Sequence, residues 1–355
     1  MSDRPPSVAD GLACPVPLSS PATVQRGHGG GGRMTKDLVE RVFLAGADAA
    51  ALRALHDGAV LDVPAGRLAI STDAFVVTPL FFPGGDIGSL AVHGTVNDLA
   101  MCGARPVALS AAFVLEEGFP IDDLARVAAS MRAAAAAVGV PVVTGDTKVV
   151  DRGRGDGVYV VTTGVGVVRE GVRVDPRRAA PGDRVLVSGD LGVHGVVVLS
   201  VREGLRFETD LVSDSAPLHD LVAGVLDAAG DRVHVLRDPT RGGLASALVE
   251  IAESAGVAVA LDERALPVPE PVRGACEILG LDPLAVANEG KCVAVVAPGA
   301  ADAALAAMRA HPLGRRAAIV GEVVAGPAGR VTVGGRAGGA RLLEMPRGEQ
   351  LPRIC

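Results

Sequence analysis

Val140-Pro141-Val142-Val143-Thr144 follows an alanine-rich run that opens at Asp122-Asp123 and stops at Gly139, and it leads into Gly145-Asp146-Thr147-Lys148. Alanine is the strongest helix former, an Asp at the start offers a cap, and a Gly past the end accepts the left-handed backbone that stops a helix. The run after Gly139 reads as a short buried strand. A helix feeding a strand that ends in small polar residues is the unit of a mixed α/β fold, and it recurs along the chain. Upstream, Leu68-Ala69-Ile70-Ser71-Thr72 reads as a strand followed by Asp73, Phe81 to Asp86 as a turn, and Ser89 to Cys102 as a helix stopped by Gly103. Pro106 to Leu115 and Val158 to Val168 are strand-like. A second unit begins near Pro181-Gly182-Asp183. It has strands at Val185 to Val187, Val233 to Leu236, Lys291 to Ala297 and Ala318 to Val324, with helices near 194–203 and 217–229 and another reaching about Ser254.

At 355 residues the chain has room for two ordinary domains, and 49% apolar residues supply a sizeable core. With no Trp and one Tyr, that core is built from Ala, Val and Leu. The lack of aromatic platforms and the net charge of −7 exclude nucleic acid as the expected partner. Five cysteines with no C-x-x-C pair point to a reducing, cytoplasmic setting rather than to disulfides or a zinc site. Met1 to Val24 lacks the basic start and apolar run of a secretory signal, and no stretch of about 20 apolar residues predicts a membrane span.

Several residues carry possible chemistry. The glycine run Gly29, Gly30, Gly31 and Gly32 leaves backbone N–H groups free to surround a phosphate ahead of the segment Thr35 to Leu44, although the same run would serve as a linker. Asp73, Asp86, Asp98 and Asp146 stand at expected element ends or inside a helix, and carboxylates of this kind bind hard cations that bridge phosphates. Asn97-Asp98 lies within a predicted helix although both types disfavour helix interiors, and such conflicts mark functional sites. Lys148 follows Asp146 by two residues and would neutralise a transferring phosphoryl group. Glu289, in Asn288-Glu289-Gly290, offers a base or a solvated turn acid. His194 reads equally as a capping, packing or functional histidine. The chain ends in Pro352-Arg353-Ile354-Cys355, and Glu344 to Cys355 can extend roughly 40 Å. A thiol on such a tether can visit its own active site and a partner's. Arg353 is expected to favour the thiolate modestly, and the terminal carboxylate to oppose it.

Together these motifs resemble the HypE family, the carbamoyl dehydratases of nickel–iron hydrogenase maturation, within the PurM-like (aminoimidazole ribonucleotide synthetase) superfamily. The matching stretches are Gly27 to Gly32, Ser71 to Asp73, Phe81 to Gly88, Val96 to Met101, Thr144 to Val149, Asp238 to Leu244, Asn288 to Val293 and the terminal Pro352 to Cys355. The interior motifs are shared more loosely across the superfamily, and the terminal motif singles out this family.

The resemblance implies a two-domain PurM-like fold. It divides the chain into a disordered extension over 1–26, an ATP-binding αβ domain over 27–177 that dimerises through its sheet, a second αβ domain over 178–335, and a flexible tail over 336–355. It implies ATP and Mg²⁺, with Asp73, Asp98 and Asp146 on the metal, and with Asn97, Gly145, Thr147 and the glycine run placing the nucleotide. Lys148 and Glu289 would serve the dehydration of a carboxamide carried on Cys355, giving a thiocyanate and finally a cyanide ligand on iron. The implied partners are a second copy of the chain, the carbamoyltransferase HypF and the HypC–HypD complex. The alternatives are another PurM-like synthetase acting on a free small molecule, or a non-enzymatic scaffold for metal-centre assembly.

Overall fold

The computed structural model describes residues 21–46, 50–53, 58–205, 211–335, 338–346 and 353–355. The first part contains α1 (Arg33–Leu38), α2 (Ala50–Arg53), β1 (Leu68–Phe75), the hairpin β2 (Phe81–Phe82) and β3 (Gly85–Asp86), α3 (Ile87–Met101), β4 (Ala104–Glu116), α4 (Ile121–Val138), β5 (Val142–Val150) and β6 (Val158–Val168). The second contains β7 (Arg184–Val187), α5 (Val193–Arg202), α6 (His219–Ala229), β8 (Val233–Arg237), α7 (Gly243–Ala255), β9 (Ala258–Asp262), α8 (Glu270–Leu279), β10 (Val293–Val296), α9 (Ala301–Ala310), β11 (Ala318–Val324), β12 (Val331–Gly334) and β13 (Ala340–Leu343).

Among the described residues, the first sheet is four-stranded in the order β1-β6-β4-β5, and the second seven-stranded in the order β13-β12-β9-β11-β7-β10-β8. In the first sheet β4 and β5 run parallel and the other neighbours antiparallel. Strand β6 alternates: Val158, Val160 and Thr162 are buried under the helices, while Tyr159, Val161 and Thr163 point to the other face. That open face carries exposed apolar side chains, with Leu68 53% and Ile70 67% exposed on β1. A half-buried antiparallel strand normally turns polar groups outward, so this face lacks its expected chemistry for water.

Helix α3 is buried on nearly every side. Its Ile87, Leu90 and Val96 belong to the first core, and Ala100 and Met101 belong to a core shared with Leu218 and Leu221 of the second unit. The helix therefore joins the two halves. Its N-cap is Asp86, whose carboxylate accepts from the Gly88 and Ser89 N–H groups, while the Ser89 hydroxyl accepts from the Asp86 N–H. The cap is thus Asp86 rather than Ser89, and this carboxylate serves the helix. Gly139 stops α4 in the left-handed region, as the sequence predicts.

The chain departs from its expected limits at several places. Val24 is fully buried in the first core and exchanges hydrogen bonds with Phe119 and Gly118, so residues 22–24 are tied to the first unit rather than being a disordered extension. Residues 1–20, with Cys14, lie outside the described residues. At the other end β13 pairs with β12 and buries Leu343, so the second sheet continues past 335. Strands β1 and β5 are longer than expected and run through Asp73 and Asp146. A polar residue does not end a strand: Asp146 lies on the open face of β5, and Asp73 on the face of β1 that meets α3.

Gly88 marks the crossing of α3 and α4, where a Cβ would lie 2.3 Å from the Val127 carbonyl oxygen. Gly88→Ala is expected to destabilise the protein by about 1–3 kcal/mol, as overpacking does. Gly274→Ala, in α8 with open space around it, is expected to stabilise by about 0.5–1 kcal/mol. Denaturant melts of the two variants check the opposite signs.

Candidate active site

Four segments converge between the two units: β1, the last turns of α3, the loop before α7 and residues 288–291. Asp73 on β1 points toward α3, since a Cβ on Gly94 would lie 3.6 Å from its Oδ2. Asp98 on α3 accepts a hydrogen bond from the Ser71 hydroxyl at 2.5 Å. Asp238 enters from the loop after β8 and lies close enough to Asp98 for each carboxyl to shift the other. Burial, followed by the charge of Asp98, pushes the Asp238 carboxyl up to about 7. Asp98 and Asp73 are also raised, chiefly by burial. Arg241 faces this group, with a guanidinium nitrogen 3.9 Å from Asp73 Oδ1.

Glu289 lies against the same group. Its Oε1 is buried without a hydrogen-bond partner. Burial first, then the charges of Asp238 and Asp214, raise its carboxyl well above the usual range, against a lowering hydrogen bond with Cys355. Nearby, Lys291 Nζ sits 3.3 Å from Asp214 Oδ2, close enough for an ion pair though Oδ2 has no aligned hydrogen bond. Lys291 donates instead to the Gly290 carbonyl.

The terminal tripeptide is seated in this cleft. The Thr78 N–H donates to the Arg353 carbonyl at 3.1 Å, and His194 Nε2 lies 2.9 Å from the Ile354 carbonyl oxygen. The Ile354 side chain is 3% exposed within the first core. Arg353 takes a left-handed backbone (φ 54°) and turns its guanidinium to Asp156 at 3.1 Å. Burial, then the charge of Glu289, pushes the Cys355 thiol well above its ordinary value, and Arg241 opposes this. The loose, thiolate-leaning end expected from the sequence is therefore different in its last three residues. Arg353 is engaged elsewhere, and the thiol is half-buried with its protonated form favoured. Residues 347–352 of the expected tail lie outside the described residues.

A second group lies across the first sheet. Gly29 rests against Val149 of β5, and Thr35 accepts a hydrogen bond from the Gly31 N–H. Thr147 is buried toward the helices, so its neighbours Asp146 and Lys148 point to the open face. Asp146 accepts from the Thr147 N–H at 2.8 Å. Beside them is an apolar cavity of about 250 Å³ lined by Val39, Phe43, Phe113, Met131 and the stretch Val142 to Thr147, which includes Gly145.

Of the residues the sequence singles out, Asp73, Asp98, Glu289 and Cys355 come together. Gly29 to Gly32, Gly145, Asp146, Thr147 and Lys148 gather instead at β5, the other edge of the sheet. Asn97 has neither role. Its amide donates to the Ala216 and Glu289 carbonyls and accepts from the Leu218 N–H, all within 2.7–3.1 Å. It is a joint between domains, with both N–H groups engaged by main-chain carbonyls. The sequence marks Asp238 and Arg241 only as part of the matching stretch Asp238 to Leu244, with no chemical role. Asp238 carries the same signal as Asp73, an acid following an apolar strand run.

Among the described residues, no three His, Cys, Asp or Glu side chains form a cage for an ion unaided. Asp73, Asp98 and Asp238 still fit Mg²⁺. They are oxygen donors of the kind a hard cation takes with water and phosphate completing its shell; burial raises all three, and neighbouring negative charge adds to this at Asp98 and Asp238, which a cation would relieve.

Family models for AIR synthase related proteins match this chain, the N-terminal domain over residues 55–168 and the C-terminal domain over 180–334. The chain is 56% identical over 333 residues to the carbamoyl dehydratase HypE of Cupriavidus necator, covering 94% of this chain and 95% of that one. The crystal structure of a hydrogenase maturation protein HypE in complex with ATP superposes with a TM-score of 0.90 at 49% identity, covering 94% of this chain and all of the other. The HypE chain of a HypE–HypF complex gives 0.76 at 47% identity, covering 87% and 99%.

The Asp238 carboxyl has a pH signature. Its unfolded value is near 3.8 and its folded value about 7. Between these, the folded chain keeps a proton that the unfolded chain has released, so stability falls as pH rises through the window and levels off above it. Asp238→Asn is expected to flatten this fall and to raise the melting temperature at pH 7–8, in thermal melts without metal or nucleotide.

Proposed function

The chain belongs to the HypE family of carbamoyl dehydratases, and on that premise we propose how its two groups of residues divide the ATP-dependent dehydration that serves hydrogenase maturation. The substrate is a carboxamide on Cys355, loaded by the carbamoyltransferase HypF. The observation that carries this reading is the Cys355 thiol lying against Glu289, each raising or lowering the other's pKa, in the cleft of Asp73, Asp98 and Asp238.

The reaction follows from the chemistry of an amide. The oxygen of Cys–S–C(=O)–NH₂ attacks the γ-phosphorus of ATP, releasing ADP and leaving Cys–S–C(=NH)–O–phosphate after loss of one N–H proton. The second N–H proton then leaves, the C–O bond breaks to inorganic phosphate, and Cys–S–C≡N remains. Glu289 is placed to take the nitrogen's protons, and its high pKa suits a group that must accept and hold one. Arg241 and Lys148 supply positive charge for the phosphoryl group. Asp73, Asp98 and Asp238 would hold Mg²⁺, which supplies charge neutralisation at the phosphates. The apolar cavity beside β5 takes the nucleoside, with the glycine run and Gly145-Asp146-Thr147 near the phosphates. The cyano group then passes to iron on the HypC–HypD complex. No helix among the described residues is long and apolar enough to cross a membrane, and a cytoplasmic reaction suits four unpaired cysteines among those residues.

Lys148 and Asp146 face the open side of the first sheet, whereas Asp73 faces the helices at the opposite edge. Three strand spacings separate the edges, about 14 Å. A homodimer that joins the two open faces into a barrel covers Leu68 and Ile70. It also brings the β5 group of one copy to the cleft of the other.

The dehydration is checked by intact mass. The carbamoylated protein is expected to lose one water on adding Mg-ATP, and Cys355→Ala to lose the modification while still binding nucleotide; an unchanged mass in the loaded protein would sink the mechanism. The shared site is checked by mixing Asp73→Asn and Lys148→Ala copies. Each is expected to be inactive alone, and their random mixture to recover about a quarter of wild-type activity, since half the dimers hold one intact site. No recovery would place each site within one chain.

A further inference from the structure

His194 lies deep in the second unit, fully buried at the start of α5. The charge of Asp214 reaches it, but no step of the dehydration uses it. Both ring nitrogens are nevertheless engaged. Nε2 sits 2.9 Å from the carbonyl oxygen of Ile354, and Nδ1 sits 2.7 Å from the Ser213 hydroxyl. The edge of the ring pair with Phe82, at 89° and 5.5 Å between centroids, holds its plane.

The polarity of this chain can be assigned. A carbonyl oxygen only accepts, so Nε2 carries the hydrogen and donates to Ile354. The Ser213 oxygen accepts from the Ser215 N–H at 3.1 Å, which turns its own hydrogen toward Nδ1. Burial favours the neutral imidazole, in keeping with this tautomer. A fixed relay thus runs from the Ser215 backbone through Ser213 and His194 to the peptide bond immediately before Cys355. On the far side, the first unit holds the same tripeptide through Thr78 and Asp156.

We infer that His194 is a positioning residue, a latch that seats the terminal peptide so that the group on Cys355 faces Glu289, and whose release exposes the thiol for loading. This rests on the reading of Cys355 as the carrier of the substrate. The two demands on the thiol conflict. Dehydration requires it in the cleft, whereas a transferase reaches it only outside, because in the docked state it is half-buried between the two units. A latch with one hydrogen bond to the main chain, rather than a contact to the cargo, holds the end whatever the sulfur carries.

Its weakening must therefore act in opposite directions on the two steps. His194→Leu removes the donor with similar bulk, and Ile354→Ala weakens the same seat from the other side without touching α5. His194→Gln restores an N–H near the Nε2 position. The first measurement is iodoacetamide labelling of Cys355 in the full-length protein by peptide mapping, with exposed Cys102 as the internal reference. His194→Leu and Ile354→Ala are expected to label roughly three- to tenfold faster at Cys355, and His194→Gln to fall back toward wild type. The second measurement follows carbamoyl loading by HypF and single-turnover loss of water on Mg-ATP. Loading is expected to quicken, and dehydration to slow by a similar factor, in His194→Leu.

Unchanged Cys355 labelling in both His194→Leu and Ile354→Ala would overturn the latch. So would loading and dehydration that fall together with the melting temperature, which marks a purely structural histidine. Absence of water loss in the wild-type protein would instead count against the dehydratase reading, since the labelling result does not depend on that chemistry.

Discussion

The arrangement depends on the amide of Asn97. This side chain is 1% exposed, and it holds three main-chain groups of the second unit from a helix of the first. A buried amide without partners is unfavourable by several kcal/mol, so the two units must meet in the register that satisfies it. One of the three groups is the Glu289 carbonyl. The amide that aligns the units therefore also sets the backbone of the residue that meets Cys355. Apolar contacts around α3 supply the larger share of the attraction, but Ala, Val and Leu surfaces slide over one another at little penalty. Directional bonds at Asn97 remove that freedom.

The cleft so formed is acidic and poorly hydrated. Asp73, Asp98, Asp238 and Glu289 are all raised, with burial the leading cause in each. Such a site favours protons or metal cations over free negative charge. The same field acts on the thiol, which stays protonated where a thiolate would face Glu289. A neutral thiol is easier to bury than a thiolate, so the acidity of the site helps dock the chain end. The one guanidinium at Asp73 is largely exposed, so it screens the group weakly.

Much of the fold was legible because local rules and tertiary structure agree. Gly139 ends a helix, Val158 to Val168 forms a strand, and the two-unit division follows from alternating elements. Where the reading failed, a long-range contact decided the outcome. Residues 22–24 look like linker, yet Val24 finds Phe119 from a distant loop. Asp146 looks like a strand end, yet pairing with β4 carries the strand through to Val150. Asn97 was rightly marked as out of place in a helix, but sequence spacing cannot tell a ligand contact from a domain joint. His194 was ambiguous for the same reason: its partner Ile354 lies 160 positions away. Of the carboxylates near Cys355, Asp73 follows an apolar strand run, Asp98 stands out inside a helix and Glu289 in a turn; Asp238 follows a strand run as Asp73 does.

The placement of the reactive thiol at the chain end follows from the geometry of the cleft. The site lies between two units that Asn97 holds in register, so the units have little freedom to part and admit a loop. A loop would bring two backbones into the gap, both with N–H and carbonyl groups that need partners once water is excluded. A terminus brings one. The carbonyls of Arg353 and Ile354 are met by Thr78 and His194, one from each unit, and the Ile354 side chain fills apolar space. The few polar groups that enter are thus matched on arrival. They can be unmatched by withdrawing a single strand of chain, without disturbing the joint that keeps Glu289 in place.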